Sequence, residues 1–104
     1  MASVKRVTSD LSIAGTETDV IQVNSHKLTL VAVDKSTTFA GTILVWRRPG
    51  ASGTWRTVAS YTDSDLPVYK DISENSDDAE FKVELDAVTA GNIIVELEAI
   101  YRGN

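Results

Sequence analysis

The groups able to do chemistry in this chain are few: one histidine, fifteen carboxylates, ten basic side chains and no cysteine. A Ser–His–Asp nucleophile needs an imidazole oriented by a carboxylate beside a serine. The single histidine, His26, falls in an Asn24-Ser25-His26 stretch that reads as a turn. Nothing in the spacing ties it to a serine and an acid, so it reads as an exposed turn residue. The acids Asp71, Glu74, Asp77, Asp78 and Glu80 crowd one stretch. They suggest calcium, a hard cation that takes roughly six to eight oxygens. Their spacing misses the D-x-[DN]-x-[DN]-G loop and lacks its turn glycine, so a hydrated acidic loop is expected. Paired carboxylates for glycoside hydrolysis can be nominated among any fifteen acids, and mean nothing without a cleft. There is no Gly-rich phosphate loop behind a strand and no His/Cys cluster at metal spacing. The sequence points away from an enzyme, a cofactor and a bound metal.

Two sets of residues could make contacts instead. Arg47, Arg48 and Arg56 fall on two segments that read as facing strands. They could form a basic patch for phosphate or an acidic neighbour, or pair with acids on adjacent strands. Trp46, Trp55, Tyr61, Tyr69 and Tyr101 could form a platform on which sugars stack, or serve as core and interface anchors. The candidate interface is therefore Arg47, Arg48, Arg56, Trp46, Trp55 and Tyr69.

The elements that must position these residues are strands. Helical periodicity is absent, while period-2 alternation and β-branched runs recur between short polar breaks. Residues 3–8 read as a first strand or an extended arm, and residues 9–17 as a loop with Leu11 and Ile13 pinned to the core. Residues 19–23 make a short strand. Residues 27–33 (KLTLVAV) are apolar on both faces, as a covered central strand would be. Residues 41–48 and 54–61, joined by the loop Pro49-Gly50-Ala51-Ser52-Gly53, read as a hairpin. Residues 66–72 form a shorter strand, with Pro67 suited to an edge or a strand start. Residues 80–88 alternate cleanly, with Phe81, Val83, Leu85 and Ala87 on one face and Lys82, Glu84 and Asp86 on the other. Residues 93–101 answer with Ile93, Val95, Leu97, Ala99 and Tyr101 on one face. The short link with Gly91 suggests a second hairpin, which needs another sheet over its apolar face. Seven or eight strands at regular spacing give the fold class: all-β, an antiparallel two-sheet β-sandwich, immunoglobulin-like or jelly-roll-like. One domain spans residues 1–104, with residues 1–17 as a candidate N-terminal arm.

Bulk properties agree. The length suits one domain. Without cysteine there is no disulfide brace, which fits assembly in a reducing cytoplasm. No targeting segment is visible, and no apolar run approaches the roughly 20 residues that span a bilayer. The net charge of −5 disfavours nucleic acid and membrane surfaces. Residues 1–56 hold seven Lys/Arg against four Asp/Glu, whereas residues 57–104 hold three against eleven. That asymmetry could orient copies basic face to acidic face, or cancel if strands from both halves interleave.

Residues 38–61 read TFAGTILVWRRPGASGTWRTVASY. This stretch resembles the small β-sandwich structural proteins of tailed bacteriophage virions. The matching residues are Phe39, Gly41, Thr42, Arg47, Gly53, Thr54, Trp55 and Val58, and the C-terminal pair of strands around Gly91 looks like the last hairpin of such domains. The resemblance extends over about two thirds of the chain. One departure is the PGASG turn, where the family commonly has an Asp-Gly-Gly type, so turn geometry does not carry over. The resemblance implies a structural role in the virion: a capsid decoration or cement protein, or a neck, tail or fibre part, assembled in the host cytoplasm. It further implies homo-oligomers and contacts with major capsid or tail proteins. A carbohydrate-binding module or adhesion domain, with a glycan as partner, is the alternative.

Overall fold

The computed structural model describes residues 2–23, 27–34, 38–74 and 78–102. Alternation decides where each strand lies. Strand β1 (Ala2–Leu11), β2 (Ile21–Gln22), β3 (Lys27–Asp34), β4 (Ala40–Arg48), β5 (Arg56–Thr62), β6 (Val68–Ser73), β7 (Glu80–Ala90) and β8 (Ile93–Arg102) form two antiparallel sheets. Their orders are β1-β8-β3-β6 and β2-β7-β4-β5. Successive strands alternate between the sheets, except that β4 and β5 are neighbours. This is the jelly-roll arrangement, so of the two expected sandwich types the immunoglobulin-like one does not apply.

The core lies between the sheets. Leu28, Leu30, Ile43, Val45, Phe81, Val83, Leu85, Ile93, Val95 and Leu97 are all buried within it. Burying a side chain of this size stabilises by about 1.5–3 kcal/mol, so these ten residues dominate the folding energy.

Four expectations change. First, β7 and β8 do not form a hairpin. Each pairs with strands of a different sheet, and the Gly91 link (φ 73°) arches across the core. Glycine takes that left-handed backbone without steric cost. Second, the alternation in β7 breaks. Its register against β4 skips Asp86 and Thr89, two β-bulges. The first bulge flips the phase, so Ala87 is exposed and Val88 packs on the core instead. Third, β3 is central but covered on one face only: Leu28, Leu30 and Ala32 are buried, while Thr29, Val31 and Val33 are half-buried.

Fourth, residues 2–18 follow the first-strand reading and not that of an extended arm. Ala2–Leu11 pairs with β8 along its whole length in one unbroken register. Leu11 is buried as expected, but Ile13 is 67% exposed. Beyond it the chain straps the open side of β7: Gly15 N–H donates to the Leu85 carbonyl at 2.7 Å, and Thr18 N–H to Val83 at 2.8 Å. The buried Thr18 hydroxyl accepts from Val83 N–H at 3.0 Å. The strap thus satisfies β7 backbone groups where β2 is only two residues long.

The β4–β5 hairpin forms as expected. A β-turn closes it, with Gly53 N–H on the Gly50 carbonyl at 2.9 Å. Val58 is bulged out of the β4–β5 register. Pro67 stands just before the edge strand β6, where no ladder N–H is missed.

Gly41 lies at the other β7 bulge. A Cβ there would collide with the Ala87 carbonyl oxygen and come within 2.9 Å of the Phe39 ring. Gly41→Ala is therefore expected to lower stability by about 1–3 kcal/mol. Urea unfolding checks this; an unchanged midpoint would mean that the bulge can open.

Candidate functional site

The outward residues of β4 and β7 build one face. With Ile43 and Val45 turned into the core, Leu44, Trp46 and Arg48 point out of the β2-β7-β4-β5 sheet. On β7, Phe81, Val83 and Leu85 point in, and Glu80, Lys82 and Glu84 point out. The register sets Trp46 opposite Lys82 and Arg48 opposite Glu80. Trp46 Nε1 donates to Glu84 Oε1 at 2.9 Å. Arg48 donates to Glu80 Oε1 at 2.7 Å from Nε and holds it at 2.6 Å from its terminal nitrogen.

Trp55, in the loop just before β5, closes this face. The Arg48 guanidinium lies 4.5 Å from its ring centroid and the Lys82 ammonium 4.6 Å. Lys82 is in turn 2.8 Å from Glu17 on the strap. One network thus runs Glu80–Arg48–Trp55–Lys82–Glu17, with Trp46–Glu84 beside it. Cation–π contacts of this kind contribute about 0.5–1 kcal/mol at exposed sites. Sequence reasoning picked out the tryptophans and Arg48 but not Lys82, Glu84 and Glu17. The wet-face alternation of β7 was the available signal for the first two. Only the path of the strap brings in Glu17.

The other three candidate residues lie elsewhere. Arg47 follows the inward phase of β4 and caps the core. It grips Glu74, whose side chain is 5% exposed, with Nε and a terminal nitrogen at 2.5 and 2.8 Å. The hydrogen bonds to Glu74 push the Arg47 guanidinium further above its ordinary pKa, against the opposing effect of burial. A raised pKa on a cation means that its contribution is complete below the ordinary value and is lost only as pH climbs through the raised one. The arginine side of the pair is therefore intact across neutral and lysine-titrating pH. Arg56 is exposed on the edge strand β5, opposite Arg47 in register. Tyr69 is 69% exposed on the outer face of the other sheet, beside a shallow pocket lined by Val33, Asp63, Leu66, Pro67 and Tyr69.

The three arginines accordingly form no single basic patch. Arg47 and Arg48 take the alternative reading, as pairs with acids on neighbouring segments. Nor is there one aromatic platform. Trp46 and Trp55 share a face, Tyr69 points out of the opposite sheet, and Tyr61 packs against the core. The acidic stretch is likewise dispersed. Asp71 on β6 accepts from Thr29 at 3.0 Å and faces Lys27 at 3.9 Å, Glu74 holds Arg47 and Glu80 holds Arg48. Among the described residues no three His, Asp or Glu side chains are placed to share a metal ion. His26 and Asp77 lie outside the described residues, as does the side chain of Tyr101.

No protein-family model matches the chain, and no curated protein matches it in sequence. Solved structures do match in fold. The SPBc2 prophage-derived protein YomS aligns with a TM-score of 0.68 over 96% of this chain and 95% of its own, at 16% identity. The Yersinia pseudotuberculosis-derived mitogen YPM aligns with a TM-score of 0.51 over 100% of this chain and 90% of its own, at 15% identity. At these identities the likeness is one of fold.

The Arg47–Glu74 pair generates a prediction. Glu74→Ala should destabilise by about 1–3 kcal/mol, because it removes the bidentate carboxylate from an arginine whose side chain is only partly exposed. Replacing both partners by Met and Leu should recover most of that loss. Chemical denaturation of the three variants checks it; a double variant as weak as Glu74→Ala would assign the loss to the loop rather than to the unpaired charge.

Proposed function

We propose that this chain is a structural protein of a bacteriophage particle, a capsid decoration or cement protein that binds through repeated protein–protein contacts. The observation that carries the reading is the match in fold, end to end, to the prophage-derived YomS. The residues 38–61 resemblance points the same way. The described surface fits contact work better than catalysis. Its outer sheet face presents half-buried tryptophans, one held by a hydrogen bond to Glu84 and one by cation–π contacts, and aromatic and arginine anchors are the residue types that dominate protein–protein affinity. The pairs Glu80–Arg48 and Glu17–Lys82 keep the tryptophan face fixed, which favours a partner with a rigid complementary face. The partners in this reading are the major capsid or tail proteins, and further copies of the chain. Assembly takes place in the host cytoplasm and the mature location is the virion.

The test is biochemical. Particles from a lysate carrying the gene are banded on a density gradient and quantified by mass spectrometry. The chain should band with the particles at a copy number that is a simple multiple of the capsid or tail symmetry. Recovery only in the soluble fractions would reject the reading. Trp55→Ala should lower particle occupancy several-fold while leaving the fold intact by circular dichroism.

A further inference from the structure

The sandwich has four sheet edges, and three of them are guarded. At β2 the edge strand is two residues long and the adjoining strap covers β7. At β5 the edge is broken by the Val58 bulge. At β6 it spans only six residues and opens next to Pro67. Short strands, bulges, prolines and lysines are the usual means of stopping edge-to-edge pairing. Strand β1 is different. It runs ten residues in one register against β8, with no bulge and no proline, and Lys5 is its one lysine. We infer that the free edge of β1 pairs antiparallel with β1 of a second copy, joining two four-stranded sheets into one of eight.

Geometry restricts the register. Two antiparallel strands of one sheet are related by a two-fold axis perpendicular to the sheet, which keeps outer faces outer. Directly opposed residues share a face, so one residue must sit on the axis facing its own copy. In β1, Arg6, Thr8 and Asp10 follow the outer phase, set opposite the outward Glu98 and Glu96 and half-buried Ile94 of β8. Val7, Ser9 and Leu11 follow the inner phase, with Val7 packed on the core.

Charge then chooses among the axes. An axis at Arg6 sets two guanidiniums against each other. An axis at Val7 opposes Arg6 to Thr8 and makes no ion pair. An axis at Thr8 opposes Arg6 to Asp10 of the other copy twice, Val7 to Ser9 twice, Lys5 to Leu11 twice, and Thr8 to itself. Opposite charges and threonine pairs are the favourable cross-strand combinations. Arg6 is held on the outer face by Glu98 at 2.6 Å and Glu96 at 3.6 Å of β8, so a carboxylate of a second copy would join an existing ion network. Asp10 accepts from Asn92 at 2.7 Å and is fixed in the same way. The Thr8 axis is therefore the register.

The inference rests on the self-assembly part of the proposed function and not on the virion itself. A chain that dimerises but never bands with particles keeps the edge pairing and loses the particle reading; a monomer in the particles does the reverse. Three measurements on the full chain test it. Analytical ultracentrifugation should give a dimer in reversible equilibrium; a monomer at about 0.1 mM, where only contacts weaker than that constant escape notice, would overturn the pairing. Thr8→Cys should cross-link under mild oxidation, since the chain has no other cysteine, whereas Arg6→Cys should not. The reverse result would refute the register.

Asp10→Arg sets like charges opposite each other twice and should weaken the dimer roughly two- to thirtyfold. Arg6→Asp should do the same from the other side. Mixed together, the two variants regain both ion pairs and should form a heterodimer tighter than either homodimer. Rescue on mixing cannot arise from a folding defect. Two variants that dimerise as the parent does, singly and mixed, would place the interface elsewhere.

Discussion

The structure depends on one confrontation of apolar faces. Phe81, Val83 and Leu85 of β7 are set in one sheet, Ile93, Val95 and Leu97 of β8 in the other, and all six are fully buried. The two strands are joined by a link so short that they must either pair or oppose each other across the core. Paired in one sheet, their apolar faces would lie side by side and wait for a cover. Opposed, each face covers the other directly, and each strand is free to take two further strands as neighbours. The jelly roll follows from the second choice, because β7 then organises β2 and β4 while β8 organises β1 and β3.

The polar surroundings are arranged around that core. The strap from residues 13 to 18 completes the hydrogen bonding of β7 where β2 is too short to do so. Arg47 and Glu74 form a bidentate pair at one end of the core, which ties Glu74, just beyond β6, to β4. The β7 bulge at Asp86 turns Ala87 out and Val88 onto the core, and Gly41 makes room for the displaced backbone beyond it.

The charge asymmetry of the sequence is absorbed by topology. Strands from the two halves interleave, and the ion pairs Arg6–Glu98, Lys27–Asp71, Arg47–Glu74 and Arg48–Glu80 each join a basic residue of the first half to an acid of the second. Part of the opposite charge of the two halves therefore meets within one copy. What remains for contact is local: the tryptophan face of one sheet, the Tyr69 pocket on the other, and the long edge of β1.

The sequence by itself determined the two-sheet all-β class, the phase of nearly every strand and the β4–β5 hairpin. Those properties are local: side-chain alternation has period 2, and turn residues announce themselves. Arg47 was legible as a candidate, and pairing with an acid as one of its readings, but not which acid, because Glu74 is 27 residues away. Residues 2–18, open to reading as a first strand or an arm, form an edge strand and a strap, since a Ser/Thr-rich segment does not reveal which backbone it will bond. The bulges that turn Ala87 outward left no mark in the alternation. The fate of β7 and β8 was equally hidden, because an amphipathic strand pair carries the same pattern whether it folds as a hairpin or as an arch. Only the packing of all eight strands decides between the two, since the gain comes from which apolar face each strand meets and not from the strand itself.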